Sequence, residues 1–425
     1  MTGRKRDGKV ASCCSRKKKV SIPAQDSPAK EASGTMKTPC PESRQPGIRG
    51  RVTLDIFGTK DDDEDWWAKW EANFDEPPAK REESAEEWEA RMEAQLSADV
   101  DPDEDLSLSQ EARRAICFRS DWESFWSPEY GAFEDTTRIP PMRFTFKKAP
   151  WDAMHENALQ IFSAKVTTTK GSLPFDVFGM VAVRDTIDHN RNIVFCRTRD
   201  NCQTLTEEHP YLVLTGPTRA VLLELPLVFI EVELMVKGTT DSEDEKLSSL
   251  AVPISFSDKM YSYMWKRACT SKFSTVEFTL GHIISSVEAT VFVRVTRGSW
   301  PNGFRGQFSA VASGARAKPS CTVYHTSVND EEFILLDSGG EKVPVTGDGD
   351  IKLSRCVVSV DTTGLLKVHI KAWGGDNNVM ETWKVFKPLD ADISNSMLDI
   401  GFCKMDVTVA WSLILYNPVY ANTRL

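Results

Sequence analysis

The chain has 425 residues, 40% hydrophobic and 27% charged, which excludes a wholly disordered, collagenous or small disulfide-stapled protein and leaves room for two or three folding units. Its formal net charge is −10, which argues against nucleic acid as a partner of the whole surface. The charge is segregated: +9 over residues 1–60, −16 over 61–111, +2 over 112–150 and −5 over the remainder.

Residues 1–60 are rich in Lys, Arg, Ser, Pro and Gly and lack aromatic residues before Phe57. They cannot bury enough apolar surface to offset ordering entropy, so a disordered basic tail is expected. Lys5 and Arg6, then Arg16, Lys17, Lys18 and Lys19, approximate a bipartite import signal in which two cation clusters reach two acidic grooves of a carrier. A nucleic-acid-touching arm, a transit peptide (a plastid address), a polybasic patch beside palmitoylated Cys13 and Cys14, and a plain solvated tail are the competing readings. Nucleus or cytoplasm is the expected compartment.

Residues 61–130 read as an acidic, Trp-rich helical segment. Asp61 to Asp65 suit a helix N-terminus, with Trp66, Trp70 and Phe74 along one face and Pro77–Pro78 as the stop. A second amphipathic run carries Trp88, Met92 and Leu96. Such stripes dock either on the protein's own globular part or in a partner groove. A third helix is expected from Leu106 to Trp126, with Ile116, Phe118, Trp122, Phe125 and Trp126 as its apolar surface. Glu111 and Arg114 in it share a spacing with ribosome-inactivating N-glycosidases, read as chance. Pro128, Pro140 and Pro141 then suggest an extended linker over 131–157.

Residues 158–418 change character to short β-branched and aromatic runs, such as RNIVFC, FIEVELMV and ATVFVRV, broken by Gly, Pro, Asn and Asp. Eleven or more such runs at sandwich-like spacing predict an all-β fold, an antiparallel β-sandwich behind a disordered or helical N-terminal extension. In Phe229 to Val236 the alternation predicts Ile230, Val232 and Leu234 inward and Glu231 and Glu233 outward.

Chemistry-bearing patterns are sparse. No apolar stretch follows the basic start and no run reaches the ~18 apolar residues of a membrane helix. The ten cysteines form no Cys-x-x-Cys pair, which predicts thiols, buried in strands at Cys196, Cys356 and Cys403. The six histidines make no zinc motif, no Gly-x-Ser-x-Gly elbow exists, and TGPTRA and TGDGD lack the Lys-Ser/Thr of a phosphate loop. No cofactor is expected and no enzyme is recognised. Asp185 and Asp188, with Asp176 and Asp200, could gather at one sandwich end and offer oxygens to calcium. Arg184, Arg191, Arg197 and Arg199 interleave with those acids, either as mutual salt bridges or as forks for an anionic partner. In GSWPNGFRGQF, Trp300, Phe304 and Arg305 form either a recognition tip or a loop folded back on the sandwich edge.

The strings FEDTTRIPPMRFT from Phe133, DVFGMVAVRD from Asp176, RTRDNCQTL from Arg197, YLVLTGPTRAV from Tyr211, VKGTTDSEDEKLS from Val236, GSWPNGFRGQF, ILLDSG from Ile334 and FCKMDVTVAWSLI from Phe402 resemble a plant family abundant in cereal genomes, domain of unknown function 6598. The resemblance covers about Phe133 to Leu415 and implies no activity to carry over. Some members look like fusions with ribosome-inactivating N-glycosidases, which implies at most an association with defence or translational control. At Leu225-Pro226 the chain departs from the Asp-Pro pair expected there.

The function expected is therefore a non-enzymatic module that binds protein partners, or another ligand, through the acidic aromatic helices or the sandwich loops. A defence-related domain and a calcium- or lipid-binding sandwich are the alternatives.

Overall fold

A computed structural model describes residues 108–168, 173–224, 228–255, 260–314, 326–329, 331–374 and 378–423. The basic tail, its import-type lysines, both acidic tryptophan helices before residue 108, and Leu225-Pro226 lie outside the described residues.

The first described element is helix α1 (Gln110–Tyr130). Its bounds differ from Leu106–Trp126 because caps, not apolar content, set them. The Ser109 side chain accepts from the Ala112 amide at the start, and Gly131, at φ 106°, closes the end by donating to the Ser127 carbonyl. Phe118, Trp122 and Tyr130 form the buried face, packed on Phe133 of the following segment and on Phe229 and Ala251 of the sheet beneath.

Residues 131–157, read as an extended linker, are built into the fold: Phe133, Ile139 and Phe144 are buried. The strand β1 (Ala153–Met154) pairs with the C-terminal β18 (Ile414–Leu415). Cys196 is disulfide-bonded, not the thiol expected. Cys117, Cys202, Cys269, Cys356 and Cys403 are free.

The remaining strands form antiparallel sheets, as the period-two patterns predict. One sheet joins β2 (Glu156–Thr168), β6 (Val221–Leu222), β9 (Tyr263–Thr270), β10 (Ser274–Gly298), β13 (Val357–Asp361), β16 (Asp392–Asp399) and β17 (Cys403–Ser412). A second contains β3 (Phe175–Arg184), β4 (Asn192–Arg197), β5 (Gln203–Leu205), β7 (Val228–Val236) and β8 (Glu245–Ile254). A third is ordered β12 (Phe333–Asp337), β11 (Arg305–Ser313), β14 (Leu365–Trp373), β15 (Val379–Phe386).

Buried apolar residues gather in two large clusters, and the 25-residue strand β10 feeds both. Val276, Phe278 and Leu280 enter the core shared with β3, β7 and β8, while Val287, Ala289, Val291 and Val293 enter the core shared with β11, β14 and β17. The apolar positions switch from even to odd numbers around an irregularity in the pairing with β2, between Ile283 and Ser286, where Ser285 has φ 43°. One inserted residue reverses the side-chain parity that follows it, as a bulge must.

The outward face of β7 is only partly solvated: Glu233 points outward as expected, its side chain 43% exposed beside Lys246. Ile230, Val232 and Leu234 are buried as expected, but Glu231 is buried too, because α1 and the Phe133 segment cover that side of the sheet. A covered acid needs cations, and two arginines supply them.

Candidate functional site

The acids and arginines predicted around the β3–β4 connection do converge, together with others. Arg184 Nε donates to Glu231 Oε2 at 2.9 Å, and its terminal nitrogens reach the carbonyls of His189 and Phe133. Arg191 holds the same carboxylate from its Nε and Nη2, at 3.1 and 2.6 Å. The Arg184 guanidinium also lies 4.4 Å from the centre of the Phe133 ring and 4.9 Å from that of Trp122.

Beside this group Arg219 forks onto Asp185, Nη1 to Oδ2 at 2.6 Å and Nη2 to Oδ1 at 2.8 Å, and reaches Asp188 Oδ1 at 3.0 Å. Thr137 donates to Asp188 Oδ2, and Glu288 accepts from the Met142 and Ala220 amides. Burial pushes the carboxyls of Asp188 and Glu288 up. Burial alone would lower Arg219, but Asp185 and Asp188 raise it instead. Burial also presses His189, stacked 3.7 Å from the Trp126 ring, down to about 3. These groups are satisfied by one another, so this hub fastens α1, the 131–145 segment and the β3–β4 connection into one piece.

The four aspartates that could have gathered at one end are spread along the sheet. Asp185 and Asp188 lie past the end of β3, whereas Asp176 lies near its start, hydrogen-bonded to Thr204. Asp185 is nine residue steps along extended chain from Asp176, roughly 30 Å. Asp200 lies beyond the far end of β4 from Asp188. Among the described residues no group of three or more His, Cys, Asp or Glu is arranged to hold a metal ion. Arg199 sits in the same far region, bound to Asp244 and the Gly238 carbonyl. Arg197 ends β4 with its Nε buried and without a hydrogen-bond partner.

The aromatic loop folds back. Trp300 is buried, donates from Nε1 to the Phe304 carbonyl at 3.0 Å and meets Phe402 edge-on, as Phe304 does. Arg305 points elsewhere, clasping Asp337 and lying 4.7 Å over Trp373. These three residues therefore belong to the β10–β11 region and do not join the arginine hub.

Arg305 marks the border of a surface that sequence reasoning missed, the outer face of the sheet β12–β11–β14–β15. Even positions of β14, from Leu366 to Ala372, fill the core, so odd positions face outward. On β15 these are Val379, Glu381, Trp383 and Val385, with Trp383 51% exposed and Val379 50% exposed. Across from Trp383 lies His369, whose Nε2 meets Glu381 Oε2 at 3.0 Å and whose Nδ1 meets Glu332 Oε1 at 3.3 Å. Lys371 binds Glu332 at 2.8 Å. Burial alone would raise the Glu332 carboxyl, but Lys371 and His369 hold it below its ordinary value. Lys367 stands 4.9 Å over Trp383. The alternation of VMETWKVF was the available signal: both parities of β15 carry apolar residues, and only one can reach the core.

This is an all-β protein with two apolar cores sharing one strand, an ion-paired internal hub and an aromatic outer sheet face. The chain belongs to the domain of unknown function (DUF6598) family, whose model matches residues 158–409. Among solved structures it is similar to the calcium-bound pair of C2 domains of extended-synaptotagmin 2, at 9% identity and a TM-score of 0.22, with 62% of this chain and 100% of that chain covered. No curated protein matches. No helix among the described residues is long and apolar enough to cross a membrane.

Proposed function

We propose that the protein is a non-enzymatic interaction module whose partner protein docks on the outer face of β14 and β15. One observation carries this reading: four alternate positions of β15 present Val379, Glu381, Trp383 and Val385 to solvent, where an uncovered antiparallel sheet ordinarily shows polar side chains. Trp383 is a rigid anchor of the kind that dominates binding energy, and its neighbours His369 and Lys367 are held in place by carboxylates and ring contacts. Pre-ordered side chains lose little entropy on docking.

The test is affinity capture with wild-type and Trp383→Ser chains, followed by direct titration of the captured protein. The expected result is at least a tenfold loss of affinity, the cost of a central aromatic anchor, at unchanged thermal stability. Equal binding by both chains overturns the proposal. The same capture with residues 1–107 removed tests the acidic helices, and loss of binding there with Trp383→Ser inert moves the partner site to that segment.

A further inference from the structure

A second exposed apolar feature lies in the loop before β1. In FKKAPW, Phe146 is 65% exposed and Trp151 is 90% exposed, with the exposed Lys147 and Lys148 between them. The loop is not a loose excursion. Thr145 donates to the Trp411 carbonyl of β17 at 2.7 Å on one flank, and Ala153 pairs with Leu415 of β18 on the other, so both ends are tied to strands. Met154, 54% exposed, extends the apolar surface along β1. His155 contacts Asp390 at 2.7 Å, which brings the turn bearing exposed Lys387 and Leu389 alongside.

We propose that this loop is a docking tip for anionic phospholipid surfaces. A Trp projecting almost wholly into water is costly unless something covers it. Two exposed rings with exposed Lys148 between them match the interfacial zone of a bilayer: the rings enter at headgroup depth, and the Lys148 ammonium extends to lipid phosphates. Such a tip gives reversible surface attachment and needs no membrane-spanning helix. It uses residues separate from the β15 face, so the protein can carry its partner to a membrane surface.

The experiment is flotation of the full chain with phosphatidylcholine vesicles, alone and with about 30% phosphatidylserine. The wild type is expected to float with the anionic vesicles. Phe146→Ser/Trp151→Ser is expected to lower binding at least tenfold at unchanged thermal stability, and Lys147→Glu/Lys148→Glu to abolish the preference for phosphatidylserine. A Lys17→Ala/Lys18→Ala/Lys19→Ala chain reports on the basic tail and should still float. The proposal is overturned if the wild type does not float, if both loop variants float as it does, or if the tail variant alone abolishes binding.

Discussion

Arg219 holds Asp185 by both of its terminal nitrogens, at 2.6 and 2.8 Å, in a place where neither residue is more than 3% exposed. Removing one partner of such a pair strands a buried charge, which costs about 3–5 kcal/mol. Arg219→Ala should therefore lower the free energy of urea unfolding by that order. Arg219→Lys should recover little of it, because an ammonium lacks the planar fork that grips Asp185 with two parallel hydrogen bonds. A loss below about 1 kcal/mol would show that the hub does not fasten the fold.

Glu156 gives the fold a pH dependence of one sign. Burial and the neighbouring Glu224 raise its carboxyl from 4.5 to about 7. The folded state thus binds the proton more tightly, so this stabilisation is complete below pH 4.5 and is lost as pH rises through 7. Glu156→Gln should raise the Tm at about pH 8 and leave it nearly unchanged at about pH 5, with a difference of order ~1 kcal/mol after solvent screening. Equal shifts at both pH values would contradict the assignment.

His189 works in the opposite sense. Its ring falls from 6.5 to about 3 in the folded protein, so its contribution is present above pH 6.5 and is lost as pH falls through 3. His189→Asn suits the backbone there, at φ 51°. It should flatten the fall of Tm between about pH 6.5 and about pH 4, and an acid limb as steep as the wild type's would count against it.

Gly179, in the middle of β3, has φ 113°, and an added Cβ would lie within 2.2 Å of the Glu233 carbonyl oxygen. Backbone strain and a backbone clash then act together. Gly179→Ala should destabilise by at least about 2 kcal/mol in chemical unfolding; a neutral substitution would mean that β3 and β7 can separate without penalty.

Period-two patterns made the all-β class legible, and the quoted strings carried the family. The same patterns could not tell which polar faces are covered: Glu231 alternates outward as expected, yet a helix from elsewhere in the chain lies over it. Arg219 stood within TGPTRA, whose glycine reads only as a turn, and its partners Asp185 and Thr137 are 34 and 82 residues away. Long-range pairing of this kind leaves no local spacing. Trp151 and Trp383 were invisible for the converse reason, since a sequence shows that a tryptophan is present but not whether the fold leaves it uncovered.

The central claim, that the outer face of β14 and β15 receives a partner protein, is tested most directly by titrating the captured partner into wild-type and Trp383→Ser chains of matched Tm. The account predicts a Kd at least tenfold weaker for the variant, as for other central aromatic anchors. Indistinguishable Kd values would contradict it.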